Sequence, residues 1–155
     1  MNSDFSVAMH ALVYLSHRKC YLCSEVLAKN VCTNPVRVRR VMSHLVKENL
    51  VQTREGLEGG YCLARPAQEI YLDQVAHALE VCFVSTTWKT GDTQQPCLIA
   101  SGMGSLMDQL YGRLNDLCMQ ELSHITLAQV EEKLFEGKVL QEIPPCGRTD
   151  LPKAE

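Results

Sequence analysis

Arginine and lysine gather on one short run of this chain. From Val31 to Lys47, "VCTNPVRVRRVMSHLVK" holds Arg37, Arg39, Arg40 and Lys47 and no acid. The whole chain is nevertheless acidic, with a formal net charge of −3. A guanidinium offers a planar fork of donors that fits phosphate oxygens and the O6 and N7 acceptors of guanine. A basic element on an acidic protein therefore points to one placed contact with nucleic acid; the overall charge argues against general adhesion by the whole surface. A solvated helix face is the plainer alternative.

Cysteine is the second reactive type, with eight in the chain. Cys20 and Cys23 form the pair in "CYLC". Zinc would need a second pair of ligands at matching spacing. Cys32 and His17 are the nearest candidates, but Cys32 falls at the far end of a short helix, about 12 Å along it. Cys97 follows Pro96 at the start of a long helical pattern, and a helix N-terminus lowers a thiol pKa. Cys97, Cys20 and Cys23 are thus candidate redox thiols, with packed free thiols as the alternative. The even count comes without an export signal, so a disulfide scaffold is not expected. No nucleophile elbow, P-loop or dinucleotide fingerprint is present, so no enzyme is expected.

Local signals place these residues on elements. Residues 4–17 carry apolar side chains at helical spacing, and Ser24 reads as the cap of a short second helix, "EVLAKNV". Asn34 and Pro35 are a strong N-cap and first-turn pair, opening a third helix that runs to about Glu48. Its buried stripe would be Val38, Val41, Met42, Leu45 and Val46. Arg37, Arg40, His44 and Lys47 fall on the other side, with Val36 and Arg39 near the exposed N-terminal end. "LVQTR" and "YCLARP" flank "EGLEGG" as a hairpin, with Gly59 and Gly60 supplying positive dihedrals. "IYLDQVAHALEV" reads as a fourth helix, and residues 84–96 as a polar loop. A long helix from Cys97 to about His124 carries Ile99, Met103, Leu106, Leu110, Leu114 and Leu117 at intervals of 3 or 4, close to a heptad seam suited to another helix. Thr126 and Gln129 form a capping box for a last helix, "LAQVEEKLF".

The fold class is therefore mostly α with a small β-hairpin. Three helices and a hairpin have the order of a winged helix-turn-helix, and the "VCTN" connection has the motif's length. The third helix would be the recognition helix. Residues 1–81 would form this DNA-binding domain. Residues 82–136 would be the loop, dimerisation helix and final short helix, and 137–155 a flexible tail.

With those elements placed, "SEVLAKNVCTNPVRVRRVMSHLVKENLV", "EGGYCLARPAQEIYLDQVAHALE", "PCLIASGMGSLMDQL" and "ITLAQV" resemble the Rrf-two family of winged-helix regulators, the IscR/NsrR/CymR type, over about residues 3–134. The "TNP" opening of the third helix resembles a cluster-free, YwnA-like subgroup. The resemblance implies a homodimer whose long helices cross, with DNA contact by Asn34, Val36, Arg37, Arg39 and Arg40. His44 is counted with them, and Arg54, Gly59 and Gly60 would act from the wing. The wing departs from the family pattern near "RGPGGGY": Glu55 stands at the Arg position and Glu58 replaces a Gly. Cluster-binding members carry three cysteines between the fourth and long helices, whereas this chain has Cys82 and Cys97 there. The set is incomplete, and no iron–sulfur cofactor is expected.

The functional expectation is a cytoplasmic, sequence-specific repressor that binds double-stranded DNA as a homodimer on a pseudo-palindromic operator. Its effector would be an unidentified small molecule or a redox signal, with no membrane partner. A protein-interaction module on the same scaffold, without DNA binding, is the alternative that the acidic wing supports.

Overall fold

The computed structural model describes residues 2–136. The tail expected from Gly137, including Cys146, lies outside them. Helix α1 spans Asn2–Arg18, α2 Ser24–Val31 and α3 Pro35–Lys47. Strands β1, Val51–Arg54, and β2, Gly60–Leu63, pair antiparallel, with Val51 opposite Leu63 and Arg54 opposite Gly60. A 3₁₀ turn at Ala67–Glu69 precedes α4, Leu72–Ala78; α5 is Leu98–Leu122 and α6 Leu127–Phe135.

The first three helices meet through side chains spaced for helical faces. Ala8, Ala11, Leu12 and Leu15 of α1, Leu27 of α2, and Val38, Val41, Met42 and Leu45 of α3 are almost fully buried. Burying each large aliphatic side chain is worth about 1.5–3 kcal/mol before chain entropy is counted. Val46, expected in the same stripe, is only partly buried. Asn34 caps α3 as expected: its Oδ1 accepts from the Val36 N–H at 2.7 Å, and Pro35 occupies the first turn.

Ser24 does not cap α2. Cys23 takes that position in an extended conformation, and Ser24 is the first helical residue. The physical reason is a bridge just before it: Leu22 and Tyr61 exchange two backbone hydrogen bonds, both 2.9 Å. That pairing keeps the chain extended through Cys23 and adds a third short strand-like segment to the wing. Among the wing glycines, Gly60 has positive φ, +139°, but Gly59 does not; the other positive value is at Gly56, +105°. Gly59 is needed for space instead, since a Cβ there would lie 2.2 Å from the Arg54 carbonyl oxygen.

The fourth helix is shorter than its apolar pattern. Ile70 remains extended, and its carbonyl accepts from the Leu127 N–H at 2.8 Å. At the other end Glu80 adopts positive φ, 50°. Tyr71 and Thr126 form a second bridge, which brings α6 back onto the core. Leu127 is fully buried, Glu131 accepts from Ser16 and sits 3.2 Å from His17 Nδ1, and the His17 ring stacks on Phe135 at 4.7 Å. The Thr126–Gln129 capping box has both of its hydrogen bonds.

Helix α5 has no buried residue along its 25 residues. It touches α4, and Asn115 ties down the preceding loop. The Asn115 Oδ1 accepts from the Phe83 and Val84 N–H groups at 2.8 and 2.9 Å, while Nδ2 donates to the Val84 carbonyl at 2.7 Å.

Candidate nucleic-acid interface

The N-terminal half of α3 reaches the surface with its basic side chains. Asn34, Val36, Arg39 and Arg40 are exposed, and Arg37 is half-buried beside them. The apolar stripe on the opposite face fixes the helix's rotation, so Leu45 and Val38 pointing inward turn Arg39 and Arg40 outward. Val36 is 64% exposed, an apolar contact of the size that meets a thymine methyl.

The arginines are not free in the uncomplexed protein. Asp4 of α1 takes two of them. Its Oδ1 accepts from Arg37 Nε and Nη2 at 2.8 and 2.7 Å, and its Oδ2 accepts from Arg40 Nη2 at 2.8 Å. Arg37 Nη2 also donates to Ser3 Oγ at 2.8 Å. Burial by itself would push the Asp4 carboxyl up. The Arg37 hydrogen bond and the charges of Arg40 and Arg37 outweigh it and hold the pKa below the ordinary value. Arg39 belongs to α2 instead, donating to Ser24 Oγ at 2.9 Å and Glu25 Oε1 at 3.1 Å. Glu25 is also held low, first by its own backbone N–H, then by Ser24 and Cys23 hydrogen bonds and the Arg39 charge, against some desolvation.

These acids are the functional neighbours that sequence reasoning missed. Asp4 lies 33 residues from Arg37, too far for any local pattern to pair them. The available signal was the arginine run itself, which has no acid of its own and must find counter-charge across the fold.

In the wing, the Arg54 guanidinium sits 5.3 Å over the Tyr21 ring and 3.9 Å from Glu58. Glu58 therefore answers Arg54 within the wing, while Glu55 and Leu57 are exposed at its tip. Gly59 and Gly60 shape the turn. His44, one turn beyond Arg40 on α3, lines a groove of about 390 Å³ with Lys47, His77, Glu80, Val81 and Met119.

Cys23, Cys82 and Cys97 carry free thiols. Cys20 does not: it is disulfide-bonded, which corrects its reading as a free thiol. Cys97 stands exposed at the N-cap of α5, where the Ala100 and then the Ile99 backbone N–H lower its pKa against slight desolvation, although neither closes into a full side-chain cap. Among the described residues, no group of three or more His, Cys, Asp or Glu side chains is gathered where it could hold a metal ion. Cys82 instead donates to the Val84 carbonyl at 3.4 Å. No described helix is long and apolar enough to cross a membrane.

Comparison with known proteins places the chain in a family and matches its fold. The model of the Rrf2 family, described as iron-dependent transcriptional regulators, matches residues 1–133. A Bacillus subtilis (strain 168) protein named "Putative HTH-type transcriptional regulator YwnA" is 29% identical over 136 residues, covering 87% of this chain and 99% of the relative. The crystal structure of a "putative transcriptional regulator" from Lactobacillus plantarum superposes with a TM-score of 0.76 at 25% identity, over 88% of this chain and 93% of that one. T. potens IscR, at 17% identity, shares the fold with a TM-score of 0.66 over 92% and 93% of the two chains. CymR, the global cysteine regulator of B. subtilis, does so at 15% identity with a TM-score of 0.62 over 86% and 96%.

Proposed function

We propose that this chain, which belongs to the Rrf2 family of transcriptional regulators, is a DNA-binding repressor acting as a homodimer on a pseudo-palindromic operator. The single observation that carries the contact is α3, with an apolar underside and an exposed basic edge at its capped N-terminus. Two such helices enter adjacent major grooves, spaced by the dimer. Arg39 and Arg40 read base edges or neutralise phosphate, Asn34 and Val36 lie at the same edge, and Arg54 approaches from the wing. The cytoplasm, where the DNA is, is the address this function needs.

Selection of duplexes from a randomised pool supplies the operator, and fluorescence anisotropy on it gives the test. Arg39→Ala and Arg40→Ala each weaken operator binding by about 1–3 kcal/mol where the contact is bidentate to a base. Unchanged affinity in both variants removes α3 from the interface.

The dimer rests on α5. A helix whose apolar seam finds no cover among the described residues supports pairing with its counterpart in a second copy. The incomplete ligand set supports a regulator that works without an iron–sulfur cluster; a visible charge-transfer band in anaerobically isolated protein would refute this. Control through a thiol falls to Cys97, the exposed cysteine whose sulfur is biased toward the thiolate. Peroxide should weaken operator binding of the wild type and leave Cys97→Ser unaffected, with reductant restoring the wild type. Equal binding in all states ends the thiol role.

A further inference from the structure

We propose that Asp4 determines specificity, by setting how strongly the recognition helix holds DNA phosphate relative to base edges. This rests on α3 being the DNA-contacting helix. Asp4 is one-fifth exposed, and both of its oxygens are engaged by guanidinium groups one helical turn apart. Two cationic forks converging on one anionic group is the arrangement a backbone phosphate oxygen pair would receive. The carboxylate already fills it.

Two consequences follow from charge. Arg37, Arg40 and Asp4 together carry one net positive charge instead of two. A phosphate drawn to either arginine also meets the carboxylate between them, so its attraction is reduced. Guanine N7 and O6 are neutral acceptors, and the same carboxylate opposes them far less. The donors left over suit base edges. Each guanidinium has five N–H groups. Arg40 commits one to Asp4, and Arg37 keeps both hydrogens of Nη1 after its bonds to Asp4 and Ser3. Asp4 thus subtracts from sequence-independent affinity while leaving forks that can still read guanine. Arg39, paired instead to Glu25 across α2, lies outside this arrangement.

The test measures Asp4→Asn, Asp4→Glu and Arg40→Ala on the selected operator and on one fixed non-operator duplex, at about 50 and 200 mM salt. Circular dichroism on each variant gives the folded fraction used to correct its binding. Asp4→Asn binds the non-operator duplex more tightly, and its log–log salt slope steepens by about 0.9, the value of one added phosphate contact. Between the two salt concentrations its advantage over wild type shrinks by about 3.5-fold, the same slope over a fourfold salt change. Operator affinity gains less, so the operator to non-operator ratio falls. Asp4→Glu, which keeps the charge, stays near wild type. If non-operator affinity does not rise in Asp4→Asn while Arg40→Ala weakens operator binding, the Asp4 role is wrong and the α3 interface stands. If neither variant changes binding, the Asp4 role is wrong, and if Arg39→Ala is without effect as well, the α3 interface fails with it.

Discussion

Arg37 and Arg40 share one carboxylate, and that sharing makes stability depend on pH at a single residue. The folded pKa of Asp4 lies below its ordinary value of 3.8. A group with a depressed folded pKa contributes its full stabilisation above the unfolded value and loses it as pH falls through the folded one. Asp4→Asn should therefore unfold at lower denaturant than wild type at pH 7. The gap should narrow as pH drops below about 3.8, the unfolded carboxylate range. A gap that stays constant between pH 7 and pH 3 would show that the ion pairs contribute nothing. At this scale the caps were legible in the sequence, because Asn34 acts two residues away and Thr126 acts three residues away. Asp4, Ser24 and Glu25 as arginine partners were not, since each reaches its partner only after three helices have packed.

Among the elements, the wing is where one backbone contact matters most. Gly60 combines positive φ with a position where a Cβ would lie 2.3 Å from the Leu22 carbonyl oxygen. Gly60→Ala must break the Leu22–Tyr61 bridge or strain the turn. We expect a loss of about 1–3 kcal/mol, the cost of a sparsely populated backbone conformation, read from urea unfolding, together with weaker operator binding. Wild-type stability would mean that the bridge is dispensable. The hairpin was readable from its Gly-rich turn, but the third segment at Leu22 was not, for one pair of hydrogen bonds leaves no periodic pattern. The same cause moved the start of α2 from the expected Ser24 cap to Cys23. Apolar spacing likewise overran α4, because Ile70 is buried as an extended residue and looks no different in composition from a helical one.

For the whole molecule, α5 raises the question of a second copy. Its seam, Ile99, Met103, Leu106, Leu110, Leu114 and Leu117, is between 36 and 72% exposed in one protomer. The helix is about 38 Å long at 1.5 Å per residue. Leaving such a stripe in water along its whole length is unfavourable, and a matching helix removes it. Leu110→Asp combined with Leu114→Asp should sediment as a monomer and lose most operator affinity, because two α3 helices would no longer be tied at fixed spacing. The winged-helix core should keep its fold, since α5 contributes no residue to it. A double variant that remains a dimer would place the interface elsewhere.

The sequence by itself determined what depends on near neighbours: helix type, the Asn34 cap, the Thr126 box, the hairpin and the basic edge of α3. Spacing and short-range hydrogen bonds encode these within a few residues. Only the tertiary structure decided that the basic edge is already half-neutralised, because Asp4 and Glu25 come from other helices. It also decided that α6 returns to α1 while α5, resting on α4, buries no residue of its own. Both depend on where distant elements meet once the apolar faces have packed, which no local pattern records.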